Sequence, residues 1–169
     1  LVCVNDLVVE QSVPEFNALK MPKFFAWRAS KWLQMDDWMH FIYTTYTTPK
    51  FATDVRNRVW EGATVTNVCL QLAYHMGFSE VILIGVDHSF ATKGKPNTTV
   101  ESQGDDPNHF SAAYFGKGFR WQLPDLETSE IGYRMARRAY ENAGRRVLDA
   151  TIGGKLDIFE KADYLTLFR

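Results

Sequence analysis

The clearest pattern in the chain is a helical stripe of apolar residues between residues 65 and 76. Apolar side chains recur at i, i+3, i+4, i+7, i+8 and i+11 from Val65, the spacing of an amphipathic helix that packs on a core. Thr64 or Thr66 can cap its first turn, and Gly77 stands where such a helix ends. The stripe therefore predicts an amphipathic helix over these residues.

A run of β-branched and aliphatic residues, Val81–Ile84, follows that helix. A continuous apolar run is typical of a strand buried on both faces of a parallel sheet. Shorter runs predict strands at Leu1–Val4, Phe24–Trp27, His40–Thr45 and Arg146–Ala150. Apolar spacing and capping residues predict further helices, from Ser12 to Leu19, from Asp125 to Asn142 and from Gly153 towards the C-terminus.

Strands that alternate with helices predict an α/β fold, a Rossmann-like three-layer domain with one mainly parallel sheet. The chain has 169 residues, 46% of them hydrophobic, which is enough for a single domain over residues 1–169. Because Leu1 already stands inside an apparent strand, we expect the domain to be truncated at its N-terminus.

The composition and charge of the chain argue against some classes of binding partner. A net charge of −1 argues against a broad nucleic-acid footprint. No apolar run has the length of a membrane span, and no signal peptide is visible. Cys3 and Cys69 lie in apolar segments and predict buried free thiols in a cytoplasmic protein.

The segment 89–124 has no sustained hydrophobic period and is rich in glycine, proline and asparagine. A loop of this length in a compact domain is usually functional or disordered. Its second half interleaves aromatic residues with Lys117 and Arg120, a composition suited to ordering on a ligand. We predict a lid-like loop.

Four polar clusters fall at predicted strand ends or helix starts: Asn5-Asp6, Gly62–Thr66, Asp87-His88 and Thr151–Gly154. Such residues also form ordinary turns, which is the alternative for each cluster alone. Since ligands of open α/β sheets bind beyond the carboxyl ends of the strands, we expect one shared cleft. The backbone N–H groups at the start of the Val65 helix suit an anion such as phosphate.

His88 and His109 are the candidates for acid–base chemistry, since imidazole titrates near neutral pH. For each, a hydrogen-bonded structural histidine is the alternative. The histidines show no metal-ligand spacing, so no metal site is predicted. The chain also lacks a GxSxG elbow, a P-loop and a GxGxxG motif.

The segment from Gly62 to Phe90, followed by PNHF, YFGKG and TIGGKLDIF, resembles a family that groups motility accessory factors with archaeal 6-hydroxymethylpterin diphosphokinases. More distantly, the chain is similar to bacterial sialyltransferases that use CMP-activated sugars on a Rossmann-like sheet. Two departures from the sialyltransferases stand out. Their Gly-Asn-Gly phosphate loop would lie before Leu1, and their catalytic histidine aligns near Ala112 or Ala113, with His109 the nearest substitute.

The resemblance implies roles for the strand-end residues. Nucleotide contacts would come from Asn5, Asp6, Gly62, Thr64, Thr66, Gly85 and Asp87. His109 or His88 would accept the proton of the acceptor hydroxyl. Substrate and lid contacts would come from Asn108, Tyr114, Lys117, Arg120, Gly153, Gly154 and Lys155.

Three functions follow as hypotheses. The first is a transferase that uses a nucleotide-sugar of the CMP-sugar type, with a glycan or protein acceptor, in surface-polysaccharide or flagellin glycosylation. The second is a 6-hydroxymethylpterin diphosphokinase that uses ATP, with Mg²⁺ held by carboxylates such as Asp87. The third is a non-catalytic nucleotide-binding domain. Only the second requires a metal ion.

Overall fold

The computed structural model describes residues 1–90, 94–104 and 116–167. The strands in chain order are β1 (Val2–Cys3), β2 (Lys23–Ala26), β3 (Met39–Ile42), β4 (Thr44–Thr45), β5 (Val59–Trp60), β6 (Glu80–Leu83), β7 (Thr99–Glu101), β8 (Arg120–Gln122), β9 (Arg146–Asp149) and β10 (Glu160–Lys161). The α-helices are α1 (Asp6–Gln11), α2 (Val13–Ala18), α3 (Val65–His75) and α4 (Leu126–Asn142). Two 3₁₀ helices occupy Trp27–Lys31 and Tyr164–Thr166.

Pairing between the described strands is parallel except in one hairpin. β1, β2 and β3 form one three-stranded sheet, β10, β9 and β6 form another, and β4 pairs with β5. Only β7 and β8 are antiparallel among the described strands. The predicted α/β class with mainly parallel sheet is therefore confirmed.

The hydrogen-bond pattern divides the strands that were expected in a single sheet. α3 links the two sheets, since Val68 and Leu72 pack with the β1–β2–β3 sheet while Leu70 packs with β6 and β9. The single-sheet prediction was wrong for this reason: side-chain packing on both sides of α3, rather than a continuous ladder, connects the halves.

The β1–β2–β3 sheet has helices on both faces. Cys3, Phe25 and Met39 point to the side of α1, α2 and the first 3₁₀ helix, where they join one buried cluster. Their chain neighbours, such as Val4 and Ala26, point to α3. The strand alternation of period two thus gives the expected three layers.

The β6–β9–β10 sheet packs on α3 and α4. Tyr140 of α4 is fully buried, and its hydroxyl donates to the Leu70 carbonyl at 2.8 Å. Gly132 allows α4 to approach α3, because a Cβ there would lie 2.9 Å from Asn67 Cγ. Among the described strands β6 pairs only with β9, and the run expected to be buried on both faces leaves Ile84, just after β6, 55% exposed.

Lys23 explains where α2 ends. Its ammonium group is fully buried and donates to the carbonyls of Phe16 and Leu19 and to Asp36, at 3.1, 2.9 and 2.8 Å. Because free carbonyls at a helix C-terminus need donors, this cation stabilises the end of α2 and the start of β2 together.

The predicted lid-like loop 89–124 contains the β7–β8 hairpin in its described part. The side chain of Gln11 fastens this hairpin to α1. Its Nε2 donates to the Arg120 carbonyl, and its Oε1 accepts from the Arg120 N–H, both at 2.9 Å. The segment is therefore partly regular, and whether it closes over a ligand stays a prediction.

The prediction of a C-terminal helix from Gly153 was wrong. Residues 153–159 form turns and extended chain that bury Leu156, Ile158 and Phe159, before β10 and the short Tyr164–Thr166 turn. In the described part of the chain, every helix is too short or too polar to cross a lipid bilayer.

Candidate functional site

A cleft of about 910 Å³ opens at the carboxyl ends of β1, β4 and β5. We call it the strand-end cleft. It is lined by residues 1–8, Phe16, Tyr46, residues 60–65, Asn97, residues 122–125 and Thr128. This is the position at which α/β proteins bind ligands, and the volume suits a nucleotide-sized molecule.

Arg28 organises the polar floor of the cleft. It lies in the first 3₁₀ helix, separated from the end of β2 by one residue, and its Nε donates to Asp6 Oδ1 at 2.8 Å. Nη1 donates to Glu61 Oε1 at 2.6 Å and to Thr44 Oγ1, while Nη2 donates to the Val4 carbonyl and the Tyr46 hydroxyl. These side chains with Arg28 form the Arg28 cluster: Asp6, Arg28, Thr44, Tyr46 and Glu61.

A guanidinium has five N–H donors; side chains of the Arg28 cluster accept four of them and the Val4 carbonyl accepts the fifth. Arg28 is therefore a structural cation and has no free donor for a phosphate in this arrangement. Its function is to draw the carboxyl ends of four strands into one polar network.

Burial and charge perturb the ionisable groups of this network. Burial raises the pKa of Glu61, and the hydrogen bond from Arg28 only partly offsets that rise. For Arg28, burial lowers the pKa, but the hydrogen bond and charge of Glu61 outweigh it and the pKa is raised. Desolvation of the Tyr46 hydroxyl where it meets Arg28, with the charge of Glu61, raises the pKa of this phenol to about 12, so the hydroxyl stays neutral although the ring is exposed.

The cleft lining is acidic. Asp6, Glu61 and Asp125 line it, whereas none of its described lining residues is lysine or arginine. Bare polyphosphate would be repelled by such a lining. A ligand that presents hydrogen-bond donors, a cation or a metal-bound phosphate would suit this lining better.

The start of α3 forms one wall. Thr64 caps the helix by accepting the Thr66 N–H at 3.2 Å. Gly62 and Ala63 both adopt left-handed φ angles, 60° and 57°. At Gly62 the lack of a side chain is essential, because a Cβ would lie 2.6 Å from the buried Asn67 amide.

The start of α4 forms another part of the wall. Asp125 caps this helix, accepting from the Thr128 N–H at 3.0 Å and from its hydroxyl at 2.9 Å. Asn97, just before the hairpin, approaches the same carboxylate at 3.4 Å. Residues of the hairpin, α1 and the start of α4 thus line the cleft together with the start of α3.

A second group of predicted residues lies at the ends of β6 and β9, in what we call the β6–β9 turns (residues 85–88 and 151–155). The turns are joined by Val86 N–H to Thr151 Oγ1, 3.0 Å, and by Lys155 N–H to the Asp87 carbonyl, 2.9 Å. Gly154 packs closely on Thr151. None of these residues is among the described lining residues of the cleft.

His88 connects the β6–β9 turns with the wall of the cleft. Its Nε2 lies 3.1 Å from Glu130 Oε1, and its ring contacts Tyr133 edge-on at 6.2 Å. The Tyr133 hydroxyl lies 3.5 Å from Thr64 Oγ1. The contact with His88, and a further one with Arg134, lower the pKa of Glu130.

The predicted site residues thus lie in separate regions, chiefly the strand-end cleft and the β6–β9 turns. Asn5, Asp6, Gly62 and Thr64 share the strand-end cleft, and the Asn5 side chain also caps α1. The Thr66 N–H is used by the Thr64 cap. Gly85, Asp87, Gly153, Gly154 and Lys155 occupy the β6–β9 turns.

The predicted lid residues are only partly described. The Arg120 side chain is paired with Glu10 at 3.1 Å, and Lys117 is exposed. Asn108, His109 and Tyr114 lie outside the described residues. Groups of three or more potential metal ligands do not occur in the part of the chain that the structure describes.

Sequence reasoning missed Arg28, Tyr46 and Glu61. Each follows a strand directly or within one residue, as Asn5 does, so the rule that found Asn5 also applied to them. Their strands are short, and the residues around Arg28 showed no clear period, so the ends of those strands were not treated as candidates.

Residues 15–93 match a family model described as 6-hydroxymethylpterin diphosphokinase MptE-like. The matched segment is slightly less than half of the chain and runs from α2 past the end of β6. It includes Arg28, Tyr46 and Glu61, together with the start of α3. Comparison with curated proteins gave no match, and comparison with solved structures gave none either.

The match supports the diphosphokinase part of the resemblance that the sequence motifs indicated. Similarity to sialyltransferases gained no support from these comparisons.

Proposed function

We propose that the strand-end cleft binds a nucleotide and that the protein is a transferase of the 6-hydroxymethylpterin diphosphokinase type. The observation that supports this most is the position of the family match. It covers the Arg28 side of the cleft and the start of α3, the parts where polar groups converge.

Transfer of a diphosphate group needs few covalent steps from the protein. The hydroxymethyl oxygen of the acceptor attacks the β-phosphorus of ATP, the bond from that phosphorus to the oxygen bridging to the α-phosphate breaks, and AMP leaves. The hydroxyl proton goes to a base. Glu61 suits this role because it lines the cleft and burial raises its pKa above the usual value of a carboxylate.

The acidic lining is consistent with a nucleotide that arrives with Mg²⁺. This ion is usually held by one or two carboxylates together with substrate phosphates, so a cage of protein ligands is not required. Asp6 would contact it, since only its Oδ1 is used by Arg28 and its side chain is 38% exposed. The ion would neutralise phosphate charge next to a lining without lysine or arginine.

The start of α3 would receive phosphate oxygens through the backbone N–H groups of Gly62 and Ala63, since the Thr64 N–H already donates to the Glu61 carbonyl. Asn5 faces the same space and would bond the nucleoside. Asp87, the carboxylate first expected to hold Mg²⁺, lies in the β6–β9 turns and would contact a ligand only if it extended beyond the cleft.

Calorimetric titration of the protein with ATP and Mg²⁺, followed by assay of AMP release with 6-hydroxymethylpterin, tests the proposal. We expect saturable binding that requires Mg²⁺, and a loss of turnover of at least 100-fold in Glu61→Gln. Glu80→Gln is the control, because Glu80 forms an exposed ion pair with Arg146 at the far end of β6. Absence of ATP binding with and without Mg²⁺ would refute the proposal.

A CMP-sugar transferase is the second candidate. A CMP-sugar has one phosphodiester charge, so it would need less compensation than ATP in a cleft whose described lining has no basic side chain. Tight CMP binding without Mg²⁺ would favour it, with a glycan or protein acceptor. Binding of either nucleotide without turnover would favour a non-catalytic nucleotide-binding domain. For each of these functions we propose a cytoplasmic location.

A further inference from the structure

Tyr46 is an exposed aromatic residue that is nevertheless held in place. It lines the strand-end cleft and is 65% exposed. Its hydroxyl accepts a hydrogen bond from Arg28 Nη2, and its carbonyl accepts one from Trp60 Nε1 at 3.2 Å. The ring therefore has a fixed position although most of its surface faces solvent.

The support beneath the ring is itself rigid. The guanidinium carbon of Arg28 lies 4.8 Å from the centroid of the Tyr46 ring. Arg28 is bonded in turn to Asp6, Glu61 and the Val4 carbonyl. A ligand that binds to this ring would therefore meet little additional cost for ordering the side chain.

We propose that Tyr46 is the stacking platform for a planar, amino-substituted heteroaromatic ring of the ligand. The proposal rests on the function proposed above and adds the residue that binds the ring. Aromatic side chains bind nucleobases and similar rings face to face, largely independently of sequence or substituent. Carboxylates line the same cleft, and carboxylate oxygens are acceptors for the amino hydrogens of such a ring.

Tyr43 offers a matched comparison in the same segment. It is also exposed, at 56%, and also has an arginine against its ring, with Arg58 at 5.4 Å from the centroid. Tyr43 is absent from the described lining of the cleft. The two tyrosines thus differ mainly in whether a ligand in the cleft would meet them.

The test measures the affinities of AMP, CMP and 6-hydroxymethylpterin for the wild type, Tyr46→Leu, Tyr46→Phe and Tyr43→Leu. Inorganic diphosphate and ribose 5-phosphate serve as ringless probes. For a ring ligand that binds, we expect Tyr46→Leu to weaken binding by roughly 5- to 100-fold. Tyr46→Phe, which keeps the ring, and Tyr43→Leu should stay within about threefold of the wild type.

Ringless probes should bind Tyr46→Leu as they bind the wild type. An equal loss for ringless probes, or a loss in Tyr46→Phe as large as in Tyr46→Leu, would overturn the proposal, since the ring would not be the contact. Unchanged ring affinity in Tyr46→Leu, with diphosphate transfer retained, would overturn it while the proposed function stands. Ring binding that depends on Tyr46 without any transfer would refute the function alone. A wild type that binds none of the three rings would refute both.

Discussion

Replacing Arg28 with methionine is the most direct test of the Arg28 cluster. The variant keeps a flexible side chain of similar length but removes the guanidinium donors that bond Asp6, Thr44, Tyr46 and Glu61. Glu61 is only 5% exposed, so its carboxylate would remain buried without its cation.

The expected loss can be worked from this geometry. Breaking a buried ion pair by removing one partner costs about 3–5 kcal/mol. The Arg28 side chain is 28% exposed, so water replaces some of its bonds and lowers that figure. We expect the free energy of unfolding to fall by about 2–4 kcal/mol at pH 7.

The loss should depend on pH in a defined direction. Burial already raises the pKa of Glu61, and removing Arg28 removes the main group that opposes this. In the variant, the folded state then holds a proton over a pH range in which the unfolded state has released it. Stability therefore falls as pH rises through that range, and the deficit should be larger at pH 7 than at pH 5.

Urea unfolding at both pH values measures the effect. Arg146→Met is the control, because the ion pair of Arg146 with Glu80 is exposed and should contribute less than about 1 kcal/mol. The double variant Arg28→Met/Glu61→Gln should recover part of the stability and lose the pH dependence. A deficit of Arg28→Met below about 1 kcal/mol, or one equal at pH 5 and pH 7, would refute the reasoning.

Three further predictions concern other buried groups. Lys23→Met should lower the free energy of unfolding by about 2–4 kcal/mol, because two helix-end carbonyls lose their donor. Lys20 is exposed, so Lys20→Met should change the free energy of unfolding little. Equal effects of the two substitutions in urea unfolding would contradict this prediction. Gly132→Ala should cost about 1–3 kcal/mol through the clash with Asn67, and a neutral result would mean that the two helices separate freely. Burial raises the pKa of Cys3 to about 11, so iodoacetamide at pH 8 should modify the folded protein far more slowly than the urea-unfolded chain, and equal rates by mass spectrometry would contradict it.

Part of the secondary structure and of the candidate site can be predicted from the local sequence. The helix from Val65 and the strand after it are long and periodic enough to be predicted, and the glycine at position 62 marks a tight turn. The Asn5 and Thr64 positions were found because both stand at element boundaries, where a polar side chain is easily noticed.

The Arg28 cluster could not be predicted in the same way. Its members come from positions 6, 28, 44, 46 and 61, and they meet only after β1, β2, β4 and β5 are arranged with their carboxyl ends together. The spacing of these residues along the chain does not indicate that arrangement. The prediction of a C-terminal helix failed for a different reason. Leu156 and Phe159 have helical spacing, but Ile158 is buried beside them, because tertiary packing favours an extended chain there.

The contact of Gln11 with the hairpin has a consequence for which substitutions the chain can accept. Gln11 binds the backbone of residue 120, both as donor and as acceptor, so that contact would survive any side chain there except proline, which has no N–H. At position 11 the amide is irreplaceable in this role, because glutamate lacks the donor and lysine lacks the acceptor. Two residues in one contact are therefore expected to differ sharply in mutational tolerance, although 109 positions separate them in the chain.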